Sequence, residues 1–289
     1  MNKLLIVGCG DIALRALPLL TRNYQVFGLV RSAGQADRIA ALGAMPLTGD
    51  LDDPATLHAL AGGSDLVLHL APPGESGDLD QRTANLIAAL SLRPPERLVY
   101  ISTSGVYGDC GGAWVDEDRP VAPTTVRGSR RVAAERSLFA WGKQSGVAVV
   151  VLRVPGIYAA ERLPLAQLKR ASPVLRAEDD VYTNHIHADD LAAVCLAALE
   201  RGGAGRVYNA SDDSEMKMGD YFDLVADRAR LPRPPRIARA AAEAGAIGEG
   251  LMSFMRESRR LTNTRMKAEL RVRLRYPSVH EGVPTVVAN

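Results

Sequence analysis

Two glycines near the start of the chain have the spacing of a loop that binds phosphate groups. Gly8 and Gly10 follow a short apolar run and precede a helical stretch, with Ala13 as the third small residue. Gly8 permits a tight turn, and Gly10 has no side chain to keep a diphosphate away from the backbone. Free N–H groups at the helix start, at Asp11 and Ile12, favour an anion. This context predicts a bound dinucleotide, and a tight strand-to-helix turn without a ligand is the alternative.

The end of the second predicted strand indicates which dinucleotide is bound. NAD-binding proteins usually place Asp or Glu there, about 20 residues after the glycine loop, to accept from the ribose 2′-hydroxyl. Here the strand ends in Arg31 and Ser32 instead. A guanidinium suits a 2′-phosphate because arginine makes paired charge-assisted bonds to phosphate. We therefore predict NADP as the cofactor, with NAD as the alternative; an exposed arginine without a ligand is the competing interpretation.

The elements that must position this loop alternate along the first half of the chain. Short apolar runs predict strands at 3–7, 25–30, 45–47, 66–70, 98–102 and 147–151. Stretches between them predict helices at 11–21, 33–42, 54–61, 79–92 and 129–145, the first kinked or shortened by Pro18. Strands that are apolar throughout and alternate with helices indicate a parallel sheet covered on both faces. The predicted fold class is α/β, a Rossmann-type doubly wound parallel sheet.

The second half of the chain is less regular. Proline and charge interrupt it between residues 163 and 180, a strand–helix pattern returns at 185–199, and a further strand is predicted at 207–210. We predict a dinucleotide-binding domain over residues 1–154, with residues 185–200 packing back on it. Residues 155–184 and 201–289 then form a smaller, non-contiguous substrate-binding lobe.

Composition and charge argue against several classes of protein. The 289 residues are 47% hydrophobic and 24% charged, which is ordinary for a globular protein, and the net charge of +2 is too small to indicate nucleic acid or an anionic membrane as partner. Cys9, Cys110 and Cys195 are far apart and form no CxxC, so neither a disulfide framework nor a metal site is predicted. The apolar run at 4–7 is too short for a signal peptide or a membrane span, so the expected location is the cytoplasm.

Six further segments form a series along the chain. They are Gly49-Asp50-Leu51, His69-Leu70-Ala71-Pro72-Pro73, the stretch 99–108, the stretch 152–158, the stretch 184–191, and Tyr208-Asn209 with Asp212. Together and in this order they resemble the extended short-chain dehydrogenase/reductases of the NAD-dependent epimerase/dehydratase group, over nearly the whole chain. The glycine loop is one residue shorter than in most members, which does not block diphosphate binding.

The resemblance implies cofactor contacts for three of these segments. It implies that the segment of Asp50 and Leu51 contacts the adenine. It implies that a second segment, made of Ala71, Pro72 and Pro73, lies along the cofactor. It implies that a third segment, made of Pro155, Gly156 and Ile157, passes near the nicotinamide.

The helix after the fifth strand departs from the family pattern. Members carry a Tyr-x-x-x-Lys pair there: the tyrosine donates or accepts a proton, and the lysine lowers the tyrosine pKa and holds the nicotinamide ribose. A Ser or Thr polarises the substrate oxygen. Aligned on Pro123 and Glu135, the tyrosine position holds Arg127, the lysine position holds Arg131, and the hydroxyl position holds Thr103.

These arginines limit the chemistry that the site can perform. Arg127 cannot replace tyrosine as a proton donor and acceptor, because arginine stays protonated in proteins. It can clamp a carboxylate, a phosphate or a developing oxyanion, and Arg131 can still donate to ribose hydroxyls. The two arginines lie one helical turn apart. If both point inward they form one anion-binding surface, and if both face solvent the site is inactive. Tyr107 also lies near the site and is expected to pack or to line the substrate. Tyr158, Tyr182, His185 and His187 are more remote candidates for a proton donor.

Two functions remain open from the sequence. The first is an atypical NAD(P)-dependent oxidoreductase or epimerase acting on a small, anionic substrate, with Thr103, Arg127 and Arg131 as the catalytic residues. The second is a catalytically inactive NADP-binding sensor or scaffold, which the missing Tyr-Lys pair favours. Nucleic-acid binding through the arginine-rich stretches is the weakest hypothesis, because the net charge does not support it. The resemblance also implies a homodimer through the helices at 79–92 and 129–145.

Overall fold

The computed structural model describes residues 1–74, 77 and 79–285, so the last four residues of the predicted lobe at 201–289 lie outside the described part. The strands are β1 Lys3–Val7, β2 Gln25–Val30, β3 Met45–Thr48, β4 Leu66–His69, β5 Arg97–Thr103, β6 Trp114–Val115, β7 Ala148–Val154, β8 Gly156–Tyr158, β9 Val174–Leu175, β10 Tyr182–Thr183, β11 His185–His187, β12 Val207–Asn209, β13 Met216–Lys217, β14 Arg236–Ile237 and β15 Arg260–Leu261.

Helices follow most of these strands. They are α1 Asp11–Leu20, α2 Ala33–Ala40, α3 Gln81–Leu90, α4 Val126–Ser145, α5 Leu165–Lys169, α6 Ala188–Arg201, α7 Met218–Ala229, α8 Arg239–Ala241, α9 Glu249–Met255, α10 Thr264–Leu270 and α11 Val279–Gly282. Segments of 3₁₀ helix lie at Pro54–Gly62, Ser104–Tyr107 and Ala160–Arg162, and a π-helical turn lies at Ala242–Ala246. The predicted helix at 54–61 is therefore a 3₁₀ segment. Within the described residues, no helix combines the length and the apolar character that crossing a membrane requires.

Seven strands form the central sheet in the order β12-β7-β5-β4-β1-β2-β3. Every neighbouring pair is parallel, which confirms the predicted doubly wound parallel sheet. The chain proceeds from β1 to β3 in one direction and then continues at β4 on the other side of β1. Ligands of open α/β sheets bind at such a reversal, beyond the carboxyl ends of the strands. The site is therefore expected between the loops that follow β1 and β4.

Both faces of the sheet are buried by helices. In β1, Leu4 and Ile6 join a core that also contains residues of α1, α2 and α6, whereas Leu5 and Val7 join a core with residues of α3 and α4. Neighbouring residues of a strand point to opposite faces, so a strand that is covered twice must be apolar throughout. Covered in this way, the sheet holds the carboxyl ends of its strands in fixed positions.

Pro18 lies within α1 without ending it. The helix continues for two residues beyond this proline, to Leu20. Proline has no N–H to donate to the carbonyl of Leu14, but Pro18 is exposed and lies in the last turn, where solvent can reach that carbonyl. Leu17 and Leu20 are buried against the sheet and keep the last turn in place.

A third core lies outside the sheet and contains residues from β9, α7 and α9 together with Tyr158. Short two-stranded pairs, β8 with β11 and β9 with β14, accompany it. Within the range 201–289, however, β12 belongs to the central sheet, and Met266 and Leu270 of α10 join the main core. α6 packs against α1, on the main sheet. The division into a cofactor domain and a substrate lobe stays a proposal. In that division, β12, α6 and α10 would belong to the cofactor domain.

Candidate functional site

The glycine loop has the geometry that a diphosphate needs. Gly8 has a φ of 97°, and a Cβ added to it would lie 2.4 Å from the backbone nitrogen of Ala71. Gly10 caps α1 with a φ of −87°, and a Cβ there would meet no protein atom within 4 Å. No side chain caps the start of α1, so its first N–H groups are available to a ligand. Gly8 is required by the fold, whereas the open space at Gly10 suits a ligand.

An open cleft with about 730 Å³ of empty space lies at the reversal in strand order. Seven predicted cofactor residues line it: Gly8, Gly10, Arg31, Asp50, Leu51, Ala71 and Pro72. Of the other seven lining residues, Cys9, Gly49 and Leu70 lie in segments that the sequence had singled out, whereas Val7, Leu29, Gln35 and Arg82 were not predicted. An uncapped helix start beside an apolar cleft with a cationic rim fits the adenosine diphosphate part of a dinucleotide.

Two arginines at the rim of the cleft differ in how fully they are paired. Arg82 donates to both carboxylate oxygens of Asp52, at 2.8 and 2.6 Å, and these hydrogen bonds lower the pKa of Asp52. Its Nη1 also lies 3.3 Å from the carbonyl of Pro72. The Arg31 side chain is 60% exposed, and its Nη1 lies 3.8 Å from Asp50 Oδ2. Arg31 therefore keeps donors for a ligand, while Arg82 holds the loop after β4.

Asp11 and Ile12 have side chains that turn away from the cleft. The Asp11 carboxylate pairs with Arg15 at 3.0 Å and with Arg162 at 2.8 Å. Burial opposes ionisation, but the hydrogen bonds from the two arginines outweigh it and lower the pKa of Asp11. Ile12 belongs to the main core. Any contact of these residues with a diphosphate would be through their backbone N–H groups.

Five other predicted cofactor residues do not line the cleft. The Ser32 hydroxyl caps α2 by accepting from a backbone N–H at 3.4 Å. Pro155 joins β7 to β8, and Gly156 and Ile157 belong to β8. The last three follow the carboxyl end of β7, whose Val154 pairs with Thr103 of β5. The segment therefore lies at the same edge of the sheet as Thr103. The remaining predicted residue, Pro73, accepts from Arg82 through its carbonyl at 3.4 Å.

Thr103 ends β5, and its hydroxyl proton has no acceptor among the described residues. Its Oγ1 accepts from the backbone N–H of Gly105 at 3.2 Å, which uses an oxygen lone pair and leaves the O–H to donate. The first turn of α4 packs on the same place, since a Cβ added to Gly128 would lie 3.1 Å from the Gly105 carbonyl oxygen. Thr103 and the first turn of α4 are therefore neighbours.

Arg131 points inward, toward β5. Its Nη1 donates to the hydroxyl of Tyr100 at 2.9 Å and to the carbonyl of Ile101 at 2.6 Å. The guanidinium carbon also lies 5.4 Å from the centre of the Tyr100 ring. Tyr100 is fully buried, and sequence reasoning missed it because an aromatic residue in an apolar strand gives no signal of its own. Two acceptors fix one nitrogen of Arg131 and leave Nε and Nη2 for a ligand.

Arg127 points in another direction. It is exposed, and its guanidinium lies over the ring of Phe254 in α9, 5.0 Å from the ring centre. The Phe254 side chain is itself half exposed. The two arginines therefore do not form one anion-binding surface, and they do not both face solvent. Arg131 faces the end of β5, and Arg127 faces α9.

Four of the five other proton donors considered from the sequence are buried, namely Tyr107, Tyr158, His185 and His187, and two of them illustrate the consequence. The Tyr107 hydroxyl donates to Asn209 Oδ1 at 2.8 Å, and burial raises the pKa of Tyr107 to about 12. Burial also lowers the pKa of His185 to about 3, where its ring stacks on Tyr221 with the centres 4.2 Å apart. Both groups are closed in by the protein, so neither can reach a ligand in this conformation.

The three thiols are unpaired. Burial raises the pKa of Cys9 and of Cys195 to about 12, which keeps both protonated at neutral pH. Across the residues that the structure describes, no group of three or more His, Cys, Asp and Glu side chains is placed to hold a metal ion.

Comparison with known proteins gives one family. Residues 16–211 match the NAD dependent epimerase/dehydratase family, which confirms the predicted resemblance. A ketoreductase of Stigmatella aurantiaca, acting on 4-hydroxy-2-methyl-3-oxo-4-farnesyl-3,4-dihydroquinoline-1-oxide, is 28% identical over 78% of this chain and 74% of its own.

Solved structures show the same architecture over nearly the whole chain. A conserved protein of unknown function from Silicibacter pomeroyi is 31% identical, covers 98% of this chain and 96% of its own, and superposes with a TM-score of 0.79. UDP-glucuronic acid 4-epimerase from Bacillus cereus, solved in complex with NAD, is 19% identical over 98% of this chain and 97% of its own, with a TM-score of 0.76. The latter likeness shows the fold alone.

Proposed function

The chain belongs to the NAD-dependent epimerase/dehydratase family, and from this premise we propose that it is an NADP-dependent oxidoreductase acting on a small, anionic substrate. The observation that carries the proposal is the free O–H of Thr103 at the end of β5, beside the first turn of α4. Epimerisation would use the same hydride exchange and is the variant of this proposal. The resident cofactor would supply or accept the hydride.

Each residue of the site has a separate task in this proposal. Thr103 donates its hydroxyl proton as a hydrogen bond to the substrate oxygen and polarises it. Arg127, which faces α9, stabilises negative charge on the substrate without transferring a proton, because a guanidinium stays charged. Since Arg127 is exposed, the proton that completes a reduction comes from solvent. Arg131 uses its free Nε and Nη2 donors on the ribose hydroxyls of the cofactor.

NADP is proposed over NAD because of the charge at the cleft rim. Arg31 is exposed beside the cleft, and no carboxylate lies within 3.5 Å of it among the described residues. The Ser32 hydroxyl at the start of α2 is a second donor that a 2′-phosphate could reach. An acidic residue at this position would instead repel a 2′-phosphate.

The experiment is an activity screen with purified protein and NADPH. The panel contains small ketones and aldehydes, each offered as the free carboxylate and as its uncharged methyl ester. We expect turnover of a carboxylate and little of its ester. Thr103→Val should reduce kcat about 100-fold, as for other oxyanion donors. Arg127→Met should remove the preference for the carboxylate, while Arg136→Met, an exposed control on the same helix, should change neither.

A negative screen has a definite meaning. If NADPH binds but nothing in the panel turns over, the second candidate gains support, a binding protein that senses or presents the cofactor. The observation that favours this candidate is the pair of arginines, Arg127 and Arg131, in place of the proton-transferring tyrosine and lysine. If neither NADPH nor NADH binds, both candidates fail.

We also propose that the chain forms a homodimer through α3 and α4. Leu79 and Leu92, which flank α3, are 70% and 75% exposed, as expected for apolar residues at an interface. Light scattering should give twice the mass of the chain, and Leu79→Glu combined with Leu92→Glu should give the mass of one chain.

A further inference from the structure

Two loops form walls of the cleft that is proposed to hold the adenosine end of the cofactor. One loop follows β3 and the other follows β4. Six of their residues line the cleft: Gly49, Asp50 and Leu51 of the first loop, and Leu70, Ala71 and Pro72 of the second. Arg82, in the first turn of α3, lines the cleft as well. A ligand here would lie between the two loops, so a side chain that bonds to both of them controls their spacing.

Arg82 bonds to both loops and uses all three of its guanidinium nitrogens to do so. Nε and Nη2 donate to the two carboxylate oxygens of Asp52, in the loop after β3, at 2.8 and 2.6 Å. Nη1 lies 3.3 Å from the carbonyl oxygen of Pro72 and 3.4 Å from that of Pro73, in the loop after β4. Paired hydrogen bonds to a carboxylate fix the plane of a guanidinium as well as its position. Arg82 therefore bridges the two loops in one orientation.

Further contacts hold the loop after β3 in the same place. The Asn85 side chain, on the next turn of α3, donates to the carbonyl of Leu51 at 2.7 Å. The Asp50 carboxylate accepts from the N–H of Asp52 at 3.0 Å. The two loops also approach each other directly, because a Cβ added to Gly74 would lie 4.0 Å from Asp52 Oδ1. The loop after β3 is thus anchored to α3 at two residues, and its Asp52 carboxylate lies next to the other loop.

The bridge lies at the rim of the cleft, outside the core. The Asp52 side chain is 48% exposed and that of Arg82 is 19% exposed. The hydrogen bonds from Arg82 lower the pKa of Asp52, so the ion pair is intact at neutral pH. An ion pair at the surface adds little to the stability of a fold. The bridge therefore affects the cleft between the two loops more than it affects the stability of the whole protein.

A cleft whose walls are fixed before the ligand arrives loses less conformational entropy when the ligand binds. We infer that Arg82 is a positioning residue for the adenosine end of the cofactor, and that it acts through Asp52 and the two loops. Each of its nitrogens is engaged with the protein, so Arg82 orders the walls of the cleft and does not bind a phosphate.

The inference rests on the proposed function for the presence of a dinucleotide. It adds a determinant of affinity that NADP and NAD share, because both carry the same adenosine. Arg31 differs from Arg82 in this respect, since its proposed contact is with the 2′-phosphate alone.

The test measures dissociation constants for NADPH and for NADH by titration calorimetry in the whole protein and its variants. Arg82→Met removes the bridge and should raise both constants about tenfold, the size of one charge-assisted contact, so that their ratio stays as in wild type. Asp52→Asn keeps the shape of the side chain, removes the ion pair and should raise both constants by a smaller factor. The double variant should bind no more weakly than Arg82→Met, because both changes break the same bridge. The melting temperature should change little in all three variants.

Two further variants control for charge and for the loss of a paired arginine. Arg82→Lys keeps the charge but cannot bond to both oxygens of Asp52 in parallel, so its affinities should lie between those of wild type and Arg82→Met. Arg233→Met breaks an ion pair of the same geometry outside the cleft, where Arg233 donates to the two oxygens of Asp227 at 3.0 and 2.8 Å. This variant should bind both cofactors as wild type does.

Several results would overturn the inference. Unchanged constants in Arg82→Met, or an equal loss in Arg233→Met, would show that the bridge has no particular influence on the cleft. Tighter binding by Asp52→Asn would show that the released Arg82 contacts the ligand itself, and a loss confined to NADPH would place Arg82 at the 2′-phosphate. Failure of wild type to bind either NADPH or NADH would instead overturn the proposed function. Asp52→Asn alters an exposed side chain, so it keeps the test usable if Arg82→Met fails to fold.

Discussion

The guanidinium of Arg153 pairs with the carboxylate of Glu135 at 2.8 Å, and both side chains are almost fully buried. The pair joins β7 to α4. The Ser102 hydroxyl also hydrogen bonds to Glu135, and the Arg153 guanidinium lies over the Tyr107 ring, 4.8 Å from its centre. This network lies directly behind Thr103, so it fixes the end of β5 to the helix that carries Arg127 and Arg131.

Removing one partner of this pair should destabilise the fold strongly. Glu135→Ala leaves Arg153 as an uncompensated buried charge, and we expect the free energy of unfolding to fall by about 3–5 kcal/mol in urea titrations. The matched control is Glu249→Ala, which breaks the exposed pair of Glu249 with Arg256 and should change stability little. Similar losses in the two variants would show that burial does not decide the effect.

The two glycines of the loop should respond differently to alanine. Gly8→Ala places a Cβ 2.4 Å from the Ala71 nitrogen at a φ of 97°, so it should lower the free energy of unfolding by about 2 kcal/mol or more. Gly10→Ala meets no protein atom and has an ordinary φ, so the melting temperature should change little. Its methyl group nevertheless enters the space assigned to the diphosphate, and NADPH affinity should fall at least about tenfold. Unchanged affinity in Gly10→Ala would contradict this placement of the diphosphate.

Residue patterns predicted the sheet better than the site. Most strands of the sheet are short apolar runs, and these predicted a parallel sheet but not the order of its strands. β7 runs three residues beyond its prediction because Arg153, which reads as a strand end, is buried against Glu135. α4 begins at Val126, three residues before its prediction, because the Thr125 side chain accepts from the Gly128 N–H and caps it.

The site residues that the sequence did not predict were missed for a different reason. Arg82 lines the cleft and pairs with Asp52, 30 residues earlier, and Phe254 contacts Arg127 from α9, far along the chain. No local pattern marks such residues, because their role depends on which helices the fold brings together. The glycine loop was predictable because its function requires a fixed local spacing. Arg127 and Arg131 were located by their positions in the motif, but their opposite directions depend on Tyr100 and Phe254.

Arg31 should decide the preference for NADP over NAD. Loss of a charge-assisted contact with a 2′-phosphate weakens binding by about 1.5–3 kcal/mol, which is roughly 10- to 100-fold. Arg31→Ala should therefore raise the dissociation constant of NADPH by that factor and leave that of NADH nearly unchanged. Arg38→Ala, an exposed arginine of α2, is the control. Should Arg31→Ala weaken NADPH and NADH equally, the arginine would not contact the 2′-position.

Asp212 should make the stability of the protein depend on pH. The residue is 4% exposed, and burial raises its pKa from 3.8 to about 7, although one carboxylate oxygen accepts from the Ser214 N–H at 2.9 Å. The other oxygen has no partner among the described atoms. The native state thus holds the proton more tightly than the unfolded chain. The stability linked to this proton is fully present below pH 4 and is lost as the pH rises through about 7.

Asp212→Asn should remove this dependence, because the amide is uncharged at every pH and can still accept from Ser214. We expect the free energy of unfolding to equal that of wild type at pH 4. Above pH 7 it should exceed the wild-type value by at most about 4 kcal/mol, since each pKa unit corresponds to about 1.4 kcal/mol. Urea unfolding of both proteins between pH 4 and 9 gives the difference between their free energies of unfolding as a function of pH. Contributions of other titrating groups such as His185 are common to both proteins and cancel in this difference. Asp37→Asn, at an exposed position in α2, should give a flat difference curve. If Asp212→Asn also gives a flat curve, the carboxyl of Asp212 has the same pKa in the native and unfolded states, which would contradict the prediction.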